Sequence, residues 1–399
     1  MLTDPILNPY APGAGSPPPE LAGRDDIREK ARIATERIRL GRPAKSILII
    51  GLRGVGKTVL LDQIRADAES SGFYTVRIEA PEGRSLPALI APQLRLALLK
   101  LSRIDRAKAL AEKGLRALAG FAESLKVKYH DIEVGLDFEP EPGLADNGDL
   151  EQDLPVLLEA VGATAAKAGT AVIMFVDELQ YVEEKQLAIL ISALHRCAQR
   201  QLPITLIGAG LPQLRGRMGR AKSYAERLFD FPNVGALDAA AAADAIIKPA
   251  KAENVDFDGE AVEEITRQTK GYPYFLQEWG KHAWDCADRS PITLGDIKAA
   301  SAVAVAALDD SFFRVRFDRL TPSEKKYLRA MADLGPGPHR SGDIAERLNR
   351  DVRRVAPTRN NLIKSGMIWS PNHGDTAFTV PLFDEFMRRI MPGADWEAL

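Results

Sequence analysis

Short apolar runs without polar alternation recur in the first half of the chain, separated by stretches whose apolar positions repeat at helical spacing. Runs of this kind are typical of strands that are buried on both faces of a sheet. Strands that alternate with helices indicate an α/β fold with a parallel sheet. The pattern predicts strands at 46–50, 73–78, 171–176 and 204–208, helices at about 25–40, 58–70, 86–100, 106–123 and 151–168, and a hairpin-like excursion at 125–138.

The pattern changes twice in the second half of the chain. Beyond about residue 237 the strand signals fade, and spaced Ala, Ile and Val predict helices to about residue 307. The last eighty or so residues then resemble a winged helix-turn-helix. They predict helices at about 321–331, 341–348 and 352–365, and a hairpin with strands at 367–369 and 378–380.

These changes divide the chain into three predicted domains. Residues 1–235 form an α/β core that begins with a Pro- and Gly-rich arm at 1–22, residues 236–318 form a helical lid, and residues 319–399 form the winged helix. The role of the insertion at 82–150 is left open. A length of 399 residues is enough for two or three domains with substantial cores.

The composition narrows the class of protein. With 45 % hydrophobic and 27 % charged residues, the chain is neither disordered, collagen-like nor a coiled coil. Its apolar runs are too short to predict a membrane span, and its N-terminus lacks the basic and apolar parts of a signal peptide. Cys197 and Cys286 stand far apart in the sequence, which fits a reducing compartment. We therefore expect a cytoplasmic protein.

Residues 51–58 match the phosphate-loop pattern G-x-x-x-x-G-K-[ST] in full, directly after a predicted strand and before a predicted helix. The glycines allow a tight loop whose backbone N–H groups face phosphate oxygens, and the helix dipole favours the same anion. Lys57 can reach the β- and γ-phosphates, and the Thr58 hydroxyl can ligate Mg²⁺. The predicted nucleotide contacts here are Gly51, Leu52, Arg53, Gly54, Val55, Gly56, Lys57, Thr58 and Val59.

Two carboxylates, Asp177 and Glu178, follow the apolar strand at 171–176. Such a position is costly unless a cation or its waters satisfy them. We predict that Asp177 and Thr58 hold Mg²⁺, and that Glu178 orients and deprotonates the attacking water. Alone, the pair is also typical of a turn or a helix cap, but the phosphate loop upstream favours catalysis. A water-activating Glu favours ATP hydrolysis over phosphoryl transfer to a small molecule.

These features together resemble an AAA+ ATPase module. Gly23-Arg24-Asp25, which closes the arm, resembles the adenine-side entry of initiator-type and archaeal-type members. Gly271-Tyr272-Pro273 resembles the G-x-P element in the lid of those ATPases and of STAND signalling ATPases. The whole chain, from Asn8-Pro9-Tyr10 to the end, resembles a bacterial group of ATP-binding proteins. The resemblance implies a sheet order of 5-1-4-3-2 and nucleotide contacts from Tyr10, Gly23, Arg24, Gly271 and Pro273.

Two departures from the family pattern concern the readout of the γ-phosphate. The fourth strand ends in Gly208-Ala209-Gly210, where initiator ATPases carry a polar sensor, and Thr205 is the nearest polar side chain. A lid arginine is not evident near residues 271–273, which is a feature shared with the STAND branch.

Three arginines after the fourth strand are candidates for an arginine finger: Arg217, Arg220 and Arg227. Arg227 precedes the apolar Leu228 and Phe229 and is the first choice for a catalytic arginine. A finger that acts in trans implies a ring or a filament.

Positive charge concentrates near the C-terminus. Between Arg340 and Gly366 there are seven basic and three acidic residues, a local balance of +4 in a chain of net charge −2. The third helix of a winged helix-turn-helix can meet the phosphates and base edges of duplex DNA. The predicted contacts are Arg350, Arg353, Arg354, Asn360 and Lys364, with Asn361 beside them. His373 at the hairpin tip is interpreted as a turn residue, and no zinc-ligand spacing occurs.

The leading hypothesis is a Mg²⁺-dependent ATPase whose winged helix binds double-stranded DNA. The alternative is a STAND-like, ATP-driven switch whose winged helix docks a protein partner or a second copy of the chain. A nucleotide-binding scaffold without turnover is a third interpretation.

Overall fold

The computed structural model describes residues 4–13, 15–125, 138–372, 374–393 and 396. The predicted hairpin at 125–138 lies almost wholly outside the described residues, as does His373. The chain divides into two compact units. The sheet unit comprises Arg24–Gly51 and Lys57–Val234, and the lid unit comprises Met1–Gly23, Leu52–Gly56 and Gly235–Leu399. None of the helices in the described part of the chain is both long and apolar enough to cross a membrane.

The sheet unit alternates strands with helices, as the apolar pattern predicts. In chain order its elements are α1 (Asp25–Arg39), β1 (Ser46–Gly51), α2 (Lys57–Ser70), β2 (Tyr74–Glu79), α3 (Leu86–Leu101), α4 (Lys108–Ser124), α5 (Leu150–Ala168), β3 (Val172–Asp177), α6 (Glu184–Gln199), β4 (Ile204–Gly210), α7 (Gln213–Ala221), α8 (Ala225–Leu228), β5 (Phe229–Asp230) and β6 (Asn233–Val234).

The strands form a parallel sheet in the order β2-β3-β4-β1-β5, and β6 also pairs with β1. Taken from the other edge, this is the order 5-1-4-3-2 that the family resemblance implies. β3 and β4 are buried along their whole length, which explains why their sequences show no polar alternation. Apolar side chains of β1, β3 and β4 pack into one core with helices α3, α5 and α6.

Parallel pairing decides which residues share an edge of the sheet. Leu48 pairs with Gly208 and Val176 pairs with Gly208 as well, so β1 and β3 flank β4 in register. The carboxyl ends of the three strands therefore meet at one edge, and each leads into a loop there. In open α/β sheets this edge is where ligands bind.

The lid unit begins with the N-terminal arm. Its helices and strands are α9 (Ala239–Ala252), α10 (Gly259–Thr269), α11 (Pro273–Cys286), α12 (Leu294–Ala307), α13 (Arg314–Phe317), α14 (Pro322–Asp333), β7 (His339–Arg340), α15 (Ser341–Arg347), α16 (Val352–Lys364), β8 (Ile368–Trp369), β9 (Asp375–Phe378) and α17 (Phe383–Ile390). A π-helical turn, Leu308–Phe313, joins α12 to α13.

The arm is extended, as its prolines predict, except for a 3₁₀ turn at Pro5–Leu7. It packs on α11 through specific contacts. The Asn8 amide donates to the Lys281 carbonyl at 3.0 Å, and the Trp284 indole N–H donates to the Asp4 carbonyl at 2.9 Å. The buried Tyr10 ring fills the space beside Gly280, where a Cβ would come within 2.6 Å of the ring.

The C-terminal segment contains the three predicted helices and the predicted hairpin. Thr321 caps α14 reciprocally with Glu324, and Pro322 occupies the first helical position. The second hairpin strand is Asp375–Phe378 rather than 378–380, and it is the central strand of an antiparallel sheet β7-β9-β8. β7 is two polar residues long and α17 only eight residues, so neither produces a clear periodic signal in the sequence.

Candidate active site

The phosphate loop leaves the buried strand β1 at Gly51 and enters α2 at Lys57. Two of its glycines, Gly54 (φ +79°) and Gly56 (φ +83°), adopt left-handed backbone conformations that side-chain-bearing residues rarely accept. The Lys57 side chain is 7 % exposed and lies at the N-terminus of α2, where the helix dipole favours anions. The sequence motif thus forms the strand–loop–helix context that phosphate binding requires.

Strand β3 delivers the first predicted carboxylate to the same edge. The Thr58 hydroxyl donates to Oδ2 of Asp177 at 2.7 Å, and Asp177 is 2 % exposed. Arg77 Nη2 lies 3.6 Å from the same oxygen. The Asp177 side chain also accepts the Glu178 backbone N–H at 2.8 Å. The two predicted metal ligands, 119 residues apart in sequence, are therefore in direct contact.

The chemistry of this pair fits Mg²⁺. Both side chains offer hard oxygen atoms, and Mg²⁺ in nucleotide sites is commonly held by one or two protein oxygens together with phosphate oxygens and waters. The described residues contain no group of three or more His, Cys, Asp or Glu side chains that could form an all-protein metal site.

Glu178 occupies a strained backbone position, with φ +53° and ψ 36°. A non-glycine residue in this conformation costs of order 1–3 kcal/mol and is commonly found at functional sites. Its carboxylate accepts a hydrogen bond from the side-chain amide of Gln180, in the 3₁₀ turn Leu179–Tyr181 that follows. Sequence reasoning did not single out Gln180, because a lone Gln two residues after the acidic pair carries no motif signal.

The Gly271-Tyr272-Pro273 turn contacts the phosphate loop through the residue that follows it. The Tyr274 backbone N–H donates to the Gly54 carbonyl at 3.3 Å. A Cβ at Gly54 would lie 3.7 Å from Cβ of Tyr274 and 3.9 Å from the Phe312 ring. Gly271 and Pro273 shape this turn by a left-handed φ of +69° and by opening α11. The aromatic residues of the turn are thus both packed core and neighbours of the loop.

A second residue that sequence reasoning missed is Arg316, on α13. Its guanidinium stacks over the Phe312 ring at 4.0 Å and donates to the Phe312 carbonyl. Burial, and next the positive charge of Arg53 in the phosphate loop, lower its pKa to about 10. No described carboxylate lies within ion-pair distance of it. Arg316 lies more than 40 residues after residues 271–273 in the sequence, in a helical segment that carries no motif.

Two of the predicted arm residues, Tyr10 and Arg24, are buried. The Tyr10 side chain is 3 % exposed, and its hydroxyl donates to the Ile246 carbonyl, so its ring is committed to the packing of the arm. Burial also raises the pKa of the Tyr10 hydroxyl. Gly23 packs against Ala241, and Arg24 is 8 % exposed at the N-terminus of α1.

Arg227, the first choice for a catalytic arginine, lies away from the phosphate loop within the sheet unit. Arg227 is exposed on α8 and lines a cavity with Ser46 and Thr205. These two residues lie at the amino ends of β1 and β4, and their hydroxyls are 3.0 Å apart. That edge is about 20 Å from the carboxyl ends at the strand rise of 3.3 Å per residue. Arg227 and Thr205 thus lie towards the amino ends of the strands, whereas the phosphate loop and Asp177 lie at the carboxyl ends.

The other two finger candidates lie on α7 and have partners within the sheet unit. The Arg217 guanidinium donates to the carbonyls of Gln180 and Val182, the latter at 2.7 Å. Arg220 lies 3.6 Å from the Glu184 carboxylate. Of the three arginines, Arg217 is thus attached to the segment that carries Glu178.

The predicted DNA-contacting residues are exposed on helix α16 and in the loop before it. They are Arg350 in the loop and Arg353, Arg354, Asn360, Asn361 and Lys364 on the helix. The opposite face of the helix is buried through Val355 and Leu362. Two further basic residues of this region are used internally. Arg359 donates to the Thr376 hydroxyl at 3.0 Å, and Arg347 pairs with Asp333 at 2.6 Å.

The fold and the site together define a P-loop ATPase. Residues 20–207 match the model of a family described as AAA ATPase domain, and this range contains both the phosphate loop and Asp177-Glu178. The chain thus carries an AAA ATPase domain, which confirms the resemblance to AAA+ P-loop ATPases and the prediction of an ATP-hydrolysing enzyme. Residues 310–387 match a second model, a domain of unknown function (DUF8462). No curated protein matches the chain.

One solved structure shows the same fold, and two others are reported with it. The Walker-type ATPase PABY2304 of Pyrococcus abyssi is 16% identical, with a TM-score of 0.59 over 92% of this chain and 96% of that one. Orc1 of Aeropyrum pernix, in complex with DNA, is 14% identical over 97% and 96% of the two chains, with a TM-score of 0.47. The RuvB Holliday junction branch migration motor of Thermotoga maritima is 16% identical over 93% and 95%, with a TM-score of 0.43.

Proposed function

We propose that the protein is a cytoplasmic, Mg²⁺-dependent ATPase whose C-terminal residues 319–399 form a winged helix-turn-helix that binds double-stranded DNA. In this proposal residues 1–235 are the ATPase core with its arm and residues 236–318 are the lid. The observation that carries the DNA-binding part is the exposed basic face of α16, because it is solvent-facing, one-sided and free of described carboxylate partners.

In the hydrolytic step the residues at the sheet edge have separate roles. The loop residues 51–59 hold the phosphates, and Lys57 neutralises charge on the β- and γ-phosphates. Thr58 and Asp177 would hold Mg²⁺, which supplies charge neutralisation on the phosphate oxygens. Glu178 accepts a proton from the water that attacks the γ-phosphorus, and the bond from that phosphorus to the bridging oxygen of ADP breaks. The products are ADP and phosphate.

The exposed face of α16 supports a role as the recognition helix. At 100° per residue, Arg353, Asn360 and Lys364 lie within about 40° of arc, with Arg354 beside them. Guanidinium and ammonium groups suit phosphates, and the amide of Asn suits an adenine edge. Arg359 lies on another side of the helix and bonds it to the hairpin. Its guanidinium donates to the Ser370 hydroxyl (3.0 Å) and to the Asp375 carbonyl (3.1 Å). The hairpin therefore has a fixed position beside the basic face.

A series of contacts in the lid unit supports coupling between nucleotide and DNA. Tyr274, bonded to Gly54 of the phosphate loop, stacks on Phe312 with ring centroids 4.6 Å apart. Phe312 meets Phe313 at 5.3 Å, and Phe313 stacks on Phe386 of α17 at 5.2 Å. This path runs from the loop to the C-terminal module without a gap, so a shift of the loop can bias the packing of the module.

The test is the salt dependence of duplex DNA binding, measured by fluorescence anisotropy from low to physiological salt. We expect affinity to fall steeply with salt, and each of Arg353→Ala and Lys364→Ala to reduce the slope by about 1. Arg267→Ala is the matched control, since Arg267 is an exposed arginine of the same unit paired with Glu264 on α10.

Absence of binding to any duplex at low salt would overturn the DNA part of the proposal. The STAND-like alternative, a switch that docks a protein or a second copy, would then account for the C-terminal module. The ATPase assignment does not depend on this outcome.

A further inference from the structure

We propose that Gln180 is a positioning residue for hydrolysis, which fixes the Glu178 carboxylate at the carboxyl edge of the sheet. Its side-chain amide N–H donates to Glu178, while its side-chain oxygen accepts the backbone N–H of Leu211 at 3.1 Å. Gln180 is 7 % exposed. One buried amide thus joins the predicted base to the end of β4, and both of its polar ends are satisfied.

The glycines that end β4 explain why this arrangement fits. A Cβ at Gly210 would come within 2.9 Å of the Gln180 side-chain oxygen, and a Cβ at Gly208 would come within 2.3 Å of Leu179. The strand therefore lacks side chains where the turn Leu179–Tyr181 packs against it. The end of β4 has no side chain of its own at Gly208 and Gly210, and the Gln180 amide from the turn provides the polar group there.

The turn itself is tied down from α7. Arg217 donates to the carbonyl of Gln180 and, at 2.7 Å, to that of Val182. Burial lowers the pKa of the Arg217 guanidinium, in keeping with a partly desolvated structural cation. Glu178 is thus held from two sides: its backbone is strained by the turn that Arg217 fixes, and its carboxylate is bonded by Gln180.

This inference rests on the proposed role of Glu178 as the base, so Glu178→Gln is the reference variant. The informative change is Gln180→Glu, which keeps an acceptor for the Leu211 N–H but loses the donor to Glu178. We expect kcat for ATP hydrolysis without DNA to fall at least tenfold, while KM for ATP stays close to wild type. Gln199→Glu, at an exposed position of α6, is the matched control.

A double-mutant cycle separates positioning from general damage. If Gln180 acts through Glu178, Gln180→Glu adds little to the loss already caused by Glu178→Gln. Gly210→Ala tests the same role by a second route, because the added Cβ would displace the Gln180 side-chain oxygen. We expect this variant to have a lower kcat and a smaller change in KM.

The outcomes are distinct. If Glu178→Gln hydrolyses ATP at the wild-type rate, the base assignment is wrong whatever Gln180 does. If Glu178→Gln is impaired but Gln180→Glu keeps full kcat, or exceeds it, the positioning role is refuted. Independent, additive losses in the double mutant would likewise assign Gln180 to the fold alone.

Discussion

At the scale of single residues, the buried charge of Arg316 suggests a role that its position in the sequence does not indicate. Burial, and next the positive charge of Arg53, lower the pKa of Arg316, and no described carboxylate lies within ion-pair distance of it. We expect such a group to destabilise the protein without nucleotide and to become favourable when an anion binds beside it. The polyphosphate of ATP at the neighbouring phosphate loop is the anion that we propose.

Replacement of Arg316 by Met should therefore act in opposite directions on stability and binding. We expect Arg316→Met to leave unchanged or raise the thermal midpoint without nucleotide, and to weaken ATP binding about tenfold, the size of one charge-assisted hydrogen bond. Calorimetric titration of a slowly hydrolysed ATP analogue measures the second effect. Arg314→Met, at an exposed position of the same helix, is the control. Unchanged affinity would show that Arg316 serves packing only.

At the scale of elements, the lid depends on one close backbone approach. Gly271 has φ +69°, and a Cβ there would lie 2.4 Å from the Leu237 carbonyl oxygen. The backbone N–H of Leu237 donates to the Gly271 carbonyl at 2.8 Å. The glycine is therefore required twice, for its conformation and for space. It sets where α11 begins and so where Tyr274 meets the phosphate loop.

We expect Gly271→Ala to destabilise the lid by about 2 kcal/mol or more, because strain and a backbone clash add. Thermal unfolding followed by circular dichroism gives the stability. Gly259→Ala is the control, since Gly259 opens α10 with no atom within 4 Å of its added Cβ and no left-handed φ. Equal midpoints for the two variants would contradict the close-approach argument.

At the scale of the whole molecule, the residues of the phosphate loop are divided between the two compact units. Leu52–Gly56 belongs to the lid unit, while Gly51 and Lys57 at its ends belong to the sheet unit. The aromatic contacts from Tyr274 to Phe386 continue from the loop to the C-terminal module, and this supplies a physical path for coupling.

If the proposed DNA binding holds, ATP and DNA should change each other's affinity by the same factor, because coupling free energies are reciprocal. We expect a factor of about ten, measured with the Glu178→Gln variant to prevent turnover. Phe312→Leu should reduce the factor towards one while each separate affinity changes little. Val315→Ala, at an exposed position of α13, is the control. Coupling that survives Phe312→Leu would exclude the aromatic path.

Much of the architecture could be predicted from local pattern. Buried parallel strands lack polar alternation, so β1, β3 and β4 were visible as apolar runs, and capping residues such as Thr321 located helix starts. The phosphate loop and Asp177 are visible because their chemistry demands fixed residue types at fixed places. Short elements such as β7 and α17 could not be predicted, since a few residues carry too little periodicity.

The sequence by itself determined the α/β sheet, the phosphate loop and the acidic pair, because each is encoded by neighbouring residues. Tertiary structure alone decided which distant groups meet. It placed Thr58 against Asp177, moved Arg227 to the far edge of the sheet, committed Tyr10 to the lid and set Gln180 beside Glu178. Strand register and empty space at glycines fix these contacts, and neither is written in any single stretch of sequence.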